Sequence, residues 1–181
     1  MVSQDASFLN PERIIAQIGL QPGFQVGDLG CGTGYMSFAA SRAVGSKGRV
    51  YAVDVQKSVL EQVKKEAQVE GIINIITVWS DLEVPGATQI ATASLDAVLL
   101  VNILFLVKDK NAVFAESRRL LKKGGILLVV DWFPGSTGIG PTPQTRVNQE
   151  EAAQLALGAG FAKAADIDAG KFHYGMVFKQ Q

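Results

Sequence analysis

The sequence predicts an α/β fold built around an open, mainly parallel sheet, and three observations support this prediction. Segments that suit strands alternate along the chain with segments that suit helices, which is the order typical of right-handed βαβ units. The strand segments are apolar at nearly every position, as in parallel strands that helices cover on both faces. The last two strand segments are separated only by residues 168–171. Because so short a link cannot hold a crossover helix, these two strands should form an antiparallel hairpin.

The first part of the chain contains two helices and two strands. The first helix is predicted to begin after Asn10, which is a favourable capping residue, and to end near Gly19. A glycine-rich turn at residues 30–34 separates the first strand from the second helix. We expect these further elements: a strand over Phe24–Leu29, a helix over Tyr35–Val44 and a strand over Arg49–Asp54.

The middle of the chain continues the alternation. The third helix should begin at Ser58, which has the spacing of a capping box with Glu61, and it should end at Gly71. Apolar and β-branched runs predict three strands, over Ile75–Trp79, Leu95–Val101 and Ile126–Val130. Between the last two strands, the buried face of a helix that stops at Gly124-Gly125 is formed by Val113, Phe114, Leu120 and Leu121.

The last part of the chain departs from this rhythm. A loop rich in Gly, Pro, Ser and Thr covers Pro134–Pro143, and a helix capped by Asn148 then runs to Leu157. The hairpin strands are predicted over Phe161–Ile167 and Phe172–Phe178. Because no repeat, linker or second apolar unit is visible, we expect a single domain over residues 1–181.

Composition excludes several classes of protein. The 17 basic and 17 acidic side chains cancel, which argues against binding to nucleic acid or to an anionic membrane through net charge. One cysteine and one histidine leave no disulfide framework and disfavour a metal site. The first residues show no secretory signal, and no apolar stretch is long enough to span a bilayer. We therefore expect a soluble, cytoplasmic protein.

The glycine-rich turn and two acids suggest a ligand site. In an open α/β sheet, ligands bind at the carboxyl ends of the strands. Asp28, which is at the end of the first strand, would repel a pyrophosphate but would attract a cationic amine or sulfonium. The dinucleotide fingerprint needs a third glycine at position 35, where the chain has Tyr35. Asp54 ends the second strand, where a carboxylate can accept from the two hydroxyls of a ribose.

These residues resemble motif I of the class I S-adenosylmethionine-dependent methyltransferases, carried here by the run from Val26 to Gly34. Further landmarks fall in the order of that family: Asp54, Ser80-Asp81-Leu82, Leu95-Asp96-Ala97-Val98, Leu120 to Gly125 and the terminal hairpin. The resemblance covers about Phe8 to Lys179. It implies a doubly wound, seven-stranded, mainly parallel sheet with helices on both faces and a C-terminal antiparallel strand.

The resemblance also implies how S-adenosylmethionine is bound as cofactor. Asp28 would orient the amino group of its methionine moiety, and the backbone of Gly30, Cys31 and Gly32 would approach that moiety. Asp54 would bind the ribose hydroxyls. The remaining predicted cofactor residues are Val55, packing on the adenine; Asp81 and the backbone N–H of Leu82, bonding to its edge; and Asn102, lining the pocket and facing the substrate.

The sequence indicates no catalytic residue. This does not count against a methyltransferase, because displacement at an activated methyl group requires mainly alignment of the reactants. Asp131 could face a substrate or fix the following loop, and Trp132 and Phe133 could form a wall of the pocket or simply pack. Arg146 could bind a carboxylate or phosphate, although loop arginines are commonly exposed. We expect His173 to lie away from the site in a structural or surface role.

The acceptor is expected to be a small molecule of unidentified structure. The motif of DNA amino-methylating enzymes is absent after the fourth strand, and so is the Arg-Asn signature of the quinone-pathway enzymes, which the chain otherwise resembles. A lid over the substrate would come from the N-terminal residues, the loop before Arg146, or a partner subunit or second copy of the chain. Two alternatives stay open, namely a non-catalytic cofactor-binding subunit or sensor, and a nicotinamide-dependent oxidoreductase.

Overall fold

The computed structural model describes residues 9–135 and 138–181. Residues 1–8, to which the predictions about a secretory signal and an N-terminal lid apply, lie outside the described residues. The strands are β1 (Gln25–Leu29), β2 (Arg49–Asp54), β3 (Ile75–Trp79), β4 (Leu95–Val101), β5 (Leu121–Trp132), β6 (Phe161–Ile167) and β7 (His173–Gln180). The helices are α1 (Pro11–Gln17), α2 (Tyr35–Val44), α3 (Lys57–Val69), α4 (Lys110–Leu120) and α5 (Gln149–Gly158), with a 3₁₀ turn over Pro143–Thr145.

The seven strands form one sheet in the order β3-β2-β1-β4-β5-β7-β6. Strands β1 to β5 pair in parallel with their neighbours, whereas β7 is antiparallel to both β5 and β6. The predicted fold class and the terminal hairpin are therefore confirmed. The strand order reverses between β1 and β4, the position at which open α/β sheets bind ligands.

Helices cover both faces, and the alternation of side chains along the strands divides the core between them. Ala97 and Leu99 pack in a cluster with residues of α1 and α2, whereas Val98 and Leu100 pack with residues of α4 and α5. All four of these side chains are fully buried. Burial on both faces explains the apolar runs from which the strands were predicted.

Three of the predicted helix ends can be compared with the hydrogen bonds of the caps. The Asn10 side chain accepts from the backbone N–H of Arg13 at 2.9 Å, which confirms its capping role. Asn148 likewise accepts from the backbone N–H of Glu151 at 2.8 Å. The capping box at Ser58 is wrong, because α3 begins at Lys57 and has no side-chain cap bond.

Strand β5 begins earlier than predicted. The helix predicted to stop at Gly124-Gly125 instead ends at Leu120. Leu121 is extended and pairs with Leu95 of β4, and its side chain is fully buried. Leu120 at the end of the helix and Leu121 at the start of the strand are both buried. The apolar pattern therefore does not show where the helix ends and the strand begins. None of the helices in the described part of the chain has the length and apolar character needed to cross a bilayer.

Candidate functional site

A cavity of about 440 Å³ opens at the carboxyl ends of β1 to β4. Loops that follow four different strands line it, because parallel strands bring their carboxyl ends to the same edge of the sheet. The predicted cofactor residues that line it are Asp28, Gly30, Cys31, Gly32, Asp54, Val55, Asp81, Leu82 and Asn102. The structure thus brings all nine of them together.

The loop between β1 and α2 needs glycine for two different reasons. Gly30 has φ +79°, and a Cβ there would collide with Cδ1 of Ile103. Gly32 has φ +51° and nothing within 4 Å of the position of a Cβ. The backbone N–H groups of Gly30 and Cys31 both donate to the carbonyl of Val53, at 2.8 and 2.9 Å. The loop is therefore fixed to β2, and at Gly32 a ligand can approach the backbone closely.

Asp28 is a buried carboxyl at the wall of this cavity. It is 2% exposed, and its Oδ2 accepts from Oγ of Ser37 at 2.6 Å. Burial raises the pKa of Asp28 to about 6, because the ionised form loses its hydration. A cation bound beside this carboxylate would compensate for the lost hydration.

Asp54 braces the loop in addition to lining the cavity. Its Oδ2 accepts from the backbone N–H of Gly32 at 3.0 Å, and its Oδ1 accepts from the backbone N–H of Gln56 at 2.9 Å. This bracing role was not predicted from the sequence. Each carboxylate oxygen retains a further lone-pair direction for a ligand.

The adenine side of the predicted site lies between the loops after β2 and β3. Val55 is 55% exposed and presents an apolar surface, and its carbonyl accepts from Nε1 of Trp79 at 2.9 Å. Asp81 lines the cavity and also stabilises its own turn, because its Oδ1 accepts from the backbone N–H of Glu83 at 2.9 Å. Leu82 is buried beside it.

Asn102 follows β4 in a left-handed conformation, with φ +55°. Its backbone N–H donates to the carbonyl of Val130 at 2.9 Å. Its side-chain Oδ1 is buried and has no hydrogen-bond partner within the described residues. Asn102 also lines a second cavity, of about 720 Å³, which therefore adjoins the first.

The second cavity shows where the remaining polar candidates lie. Asp131 does not line either cavity in the described part of the chain. Its carboxylate accepts from the backbone N–H groups of Leu104 and Trp132, at 2.9 and 2.8 Å. Burial raises the pKa of Asp131 to about 6. Of the two roles left open for Asp131, the structure thus favours that of fixing the loops.

Arg146 organises the loop that precedes it. Its guanidinium is nearly buried. It donates to the carbonyls of Phe133 at 2.8 Å, Ile139 at 2.7 Å and Pro141 at 2.8 Å. The donors that would bind an acidic ligand are thus used to hold the chain itself.

His173 lines the second cavity and not the cavity of the predicted cofactor residues. It is 3% exposed, which excludes a surface role and leaves the structural one. It lies nearer the predicted site than expected, since Asn102 lines both cavities, because β7 is antiparallel and starts at the edge where the parallel strands end. In the sheet register His173 is opposite Trp132. The predicted hairpin already contained this signal.

Burial also shifts the pKa values of His173 and Cys31. Burial, with a contribution from Arg146, lowers the pKa of His173 to about 4, so its imidazole is neutral at neutral pH. Burial raises the pKa of the Cys31 thiol, which therefore stays protonated and is a poor nucleophile.

The sequence and fold of the chain are similar to those of known proteins. The family described as "Methyltransferase domain" matches residues 20–165. The chain is 33% identical over 103 residues to aklanonic acid methyltransferase DauC of Streptomyces sp. (strain C5), a match that covers 57% of this chain and 46% of that protein. It is 33% identical over 119 residues to the ubiquinone/menaquinone biosynthesis C-methyltransferase UbiE of Shewanella piezotolerans, covering 65% of this chain and 46% of that protein.

Among solved structures, the chain is similar to that of a SAM-dependent methyltransferase from Aquifex aeolicus. The TM-score is 0.88 at 23% identity, over 96% of this chain and 91% of the other. At this identity the likeness concerns the fold. The chain spans about half the length of the two curated relatives, 46% in each case.

Proposed function

The chain belongs to the methyltransferase domain family, and from this we propose that it transfers a methyl group from S-adenosylmethionine to a small molecule. One observation carries the proposal. The nine residues predicted to bind this cofactor line one cavity at the point where the strand order reverses.

The chemistry of the lining fits the cofactor. Asp28 is a buried carboxyl that a ligand ammonium would stabilise as the carboxylate. Gly32 leaves its backbone open to a ligand, and Asp54 has acceptor capacity for a pair of ribose hydroxyls. We assign Val55, Asp81 and Leu82 to the adenine, and the backbone of Gly30 and Cys31 to the methionine moiety.

When bound, S-adenosylmethionine supplies a methyl group already activated by its sulfonium. The tasks of the chain are to bind the cofactor, to align the acceptor and to exclude water. A base is required only for an acceptor that must lose a proton first. Asn102 lines both cavities, and we assign it to the boundary between the cofactor and the acceptor.

The small-molecule acceptor is inferred from the relatives. One is named for aklanonic acid and the other for ubiquinone and menaquinone biosynthesis. No observation specifically favours a sensor or an oxidoreductase, and the carboxyl of Asp28 would repel a pyrophosphate. The single domain, the cytoplasmic location and a partner subunit or second copy stay predictions.

The experiment that tests the proposal is a calorimetric titration with S-adenosylhomocysteine, with NAD as the parallel control. We expect saturable binding of the first compound alone, and transfer of a labelled methyl group to a small-molecule fraction of a cell extract. Binding of NAD alone would contradict the proposal in favour of an oxidoreductase. Cofactor binding without transfer to any extract component would favour a sensor.

A variant of Asp54 makes this test specific to the site. Asp54→Ala should weaken binding of S-adenosylhomocysteine by about 1–3 kcal/mol, because the ribose hydroxyls lose an acceptor. Since Asp54 also braces Gly32 and Gln56, Asp54→Asn is the matched variant that retains one acceptor. Thermal unfolding of both variants separates loss of binding from loss of structure. Unchanged affinity in both folded variants would refute the assignment of Asp54.

A further inference from the structure

Two polar side chains beside the second cavity carry buried atoms without partners. Within the described residues, neither ring nitrogen of His173 has a hydrogen-bond partner, and the same holds for Oδ1 of Asn102. His173 is 3% exposed, so bulk solvent has little access to its ring. Buried polar groups are normally paired, and an unpaired one carries a desolvation cost. A ligand that forms these bonds would remove that cost.

The cavity that these groups line is next to the cofactor cavity. Both cavities are lined by Leu9, Tyr35 and Asn102. A molecule held by Asn102 and His173 would therefore lie beside whatever occupies the cavity at Asp28. This is the position that an acceptor needs.

Aromatic rings lie beside His173 in the wall of the second cavity. The ring of Trp132 lies 4.1 Å from that of His173, measured between centroids. The guanidinium of Arg146 lies over the same indole at 5.7 Å, and a Cβ at Gly140 would be only 2.7 Å from it. With Phe38 also lining the cavity, these aromatic surfaces suit a planar ring system.

The unpaired atoms specify a group that both donates and accepts. A neutral imidazole has one donor and one acceptor nitrogen, and the amide oxygen of Asn102 accepts. Because burial lowers the pKa of His173 to about 4, its ring stays neutral over the physiological range. A hydroxyl can donate to one of these groups while it accepts from the other.

Charges at the outer end of the cavity argue against an anionic acceptor. Among the described residues that line it, three are carboxylates and one is a cation, namely Glu12, Glu66, Glu70 and Arg42. Arg42 is already paired with Glu12 at 2.5 Å and with Glu70 at 3.9 Å. The remaining negative charge would repel a carboxylate or phosphate.

We propose that the second cavity binds a neutral aromatic acceptor through a hydroxyl group that hydrogen-bonds to His173 and Asn102. The proposal rests on the proposed function, since it names the substrate class of the same site. His173 serves here to bind and position the acceptor.

Three probes of nearly the same shape test this proposal on the protein saturated with S-adenosylhomocysteine. They are 1-naphthol, 1-fluoronaphthalene, which replaces the hydroxyl by fluorine, and 1-naphthoate, which is anionic. Because the chain has a single histidine, the ¹⁵N signals of its imidazole report on His173 without assignment. We expect 1-naphthol to shift these signals and to bind about three- to tenfold more tightly than 1-fluoronaphthalene, and 1-naphthoate to bind more weakly than 1-naphthol.

His173→Phe is the decisive variant, because it keeps a ring against Trp132 and removes both unpaired nitrogens. It should unfold at a higher temperature than the wild type, bind S-adenosylhomocysteine equally well and lose the preference for 1-naphthol. A lower unfolding temperature, or a preference that survives the substitution, would overturn the proposal. The same applies to equal binding of the hydroxyl and fluoro probes by the wild type. Failure of S-adenosylhomocysteine to bind would instead count against the proposed function.

Discussion

Acidification should weaken the binding of S-adenosylhomocysteine through one carboxyl, Asp28. The pKa of Asp28 is raised to about 6 in the free protein. A ligand ammonium beside it favours the ionised form, so the pKa is lower in the complex. Affinity is therefore full above about pH 7 and falls as the pH drops through about 6. At about pH 5 only about a tenth of the molecules carry the carboxylate, which corresponds to about tenfold weaker binding, or about 1.4 kcal/mol.

Calorimetry from about pH 8 to about pH 5 measures this dependence, because the ammonium of the ligand stays protonated throughout that range. Asp28→Asn should bind weakly at every pH, with a flat profile. Asp131→Asn is the matched control, because Asp131 has a similarly raised pKa but bonds to the backbone of Leu104 and Trp132. A flat wild-type profile, or one that disappears in Asp131→Asn and persists in Asp28→Asn, would refute the reasoning.

Three further predictions concern the loops around the site. Gly30 and Gly32 both have a positive φ, so alanine should lower the unfolding temperature at either position, but Gly30→Ala should lower it more because its Cβ would also collide with Ile103. Gly32→Ala should bind S-adenosylhomocysteine more weakly, and equal thermal destabilisation of the two variants would contradict this. Folding raises the pKa of Asp131 to about 6. Asp131 therefore contributes stability that is present at low pH and is lost as the pH rises through about 6. Between about pH 7 and about pH 5, its contribution to the free energy of unfolding should grow by about 1.4 kcal/mol. Urea unfolding of wild type and Asp131→Asn tests this, and a variant that keeps the full gain would disprove it. Arg146→Ala should lose about 2–3 kcal/mol of stability and expose residues 138–142 to proteases, because the guanidinium bonds to two carbonyls of that segment, those of Ile139 and Pro141, and to that of Phe133 before it. Rescue by Arg146→Lys would argue against a role for its planar geometry.

The sheet could be predicted because it follows from a local rule: strands covered on both faces leave apolar runs, such as the fully buried residues 97–100. Acids that end parallel strands meet at one edge, and on this ground the sequence predicted that Asp28 and Asp54 lie close together. The position of Asp81 beside them was predicted from the resemblance to a known family, and all three residues line the same cavity.

The features that were missed depend on contacts between distant parts of the chain. Leu121 belongs to β5 because Leu95 pairs with it, and a leucine would be buried equally in a helix. His173 reaches the site only because β7 is antiparallel to β5. The bond of Asp54 to Gly32 is likewise invisible in the sequence, because it depends on the path of the loop. Propensity and spacing do not carry this information for Leu121 and Asp54, whereas the position of His173 could have been inferred from the predicted antiparallel hairpin.

The position of β7 between β5 and β6 constrains the order in which the sheet can form. During synthesis β6 emerges before β7, yet among the described strands it pairs only with β7. Until β7 has been made, β6 has no place in the sheet, and the edge of β5 exposes unpaired backbone groups. Insertion of β7 therefore joins two strands to the sheet in one step and places His173 beside Trp132. The part of the structure around His173 should therefore form after the cavity at the carboxyl ends of β1 to β4.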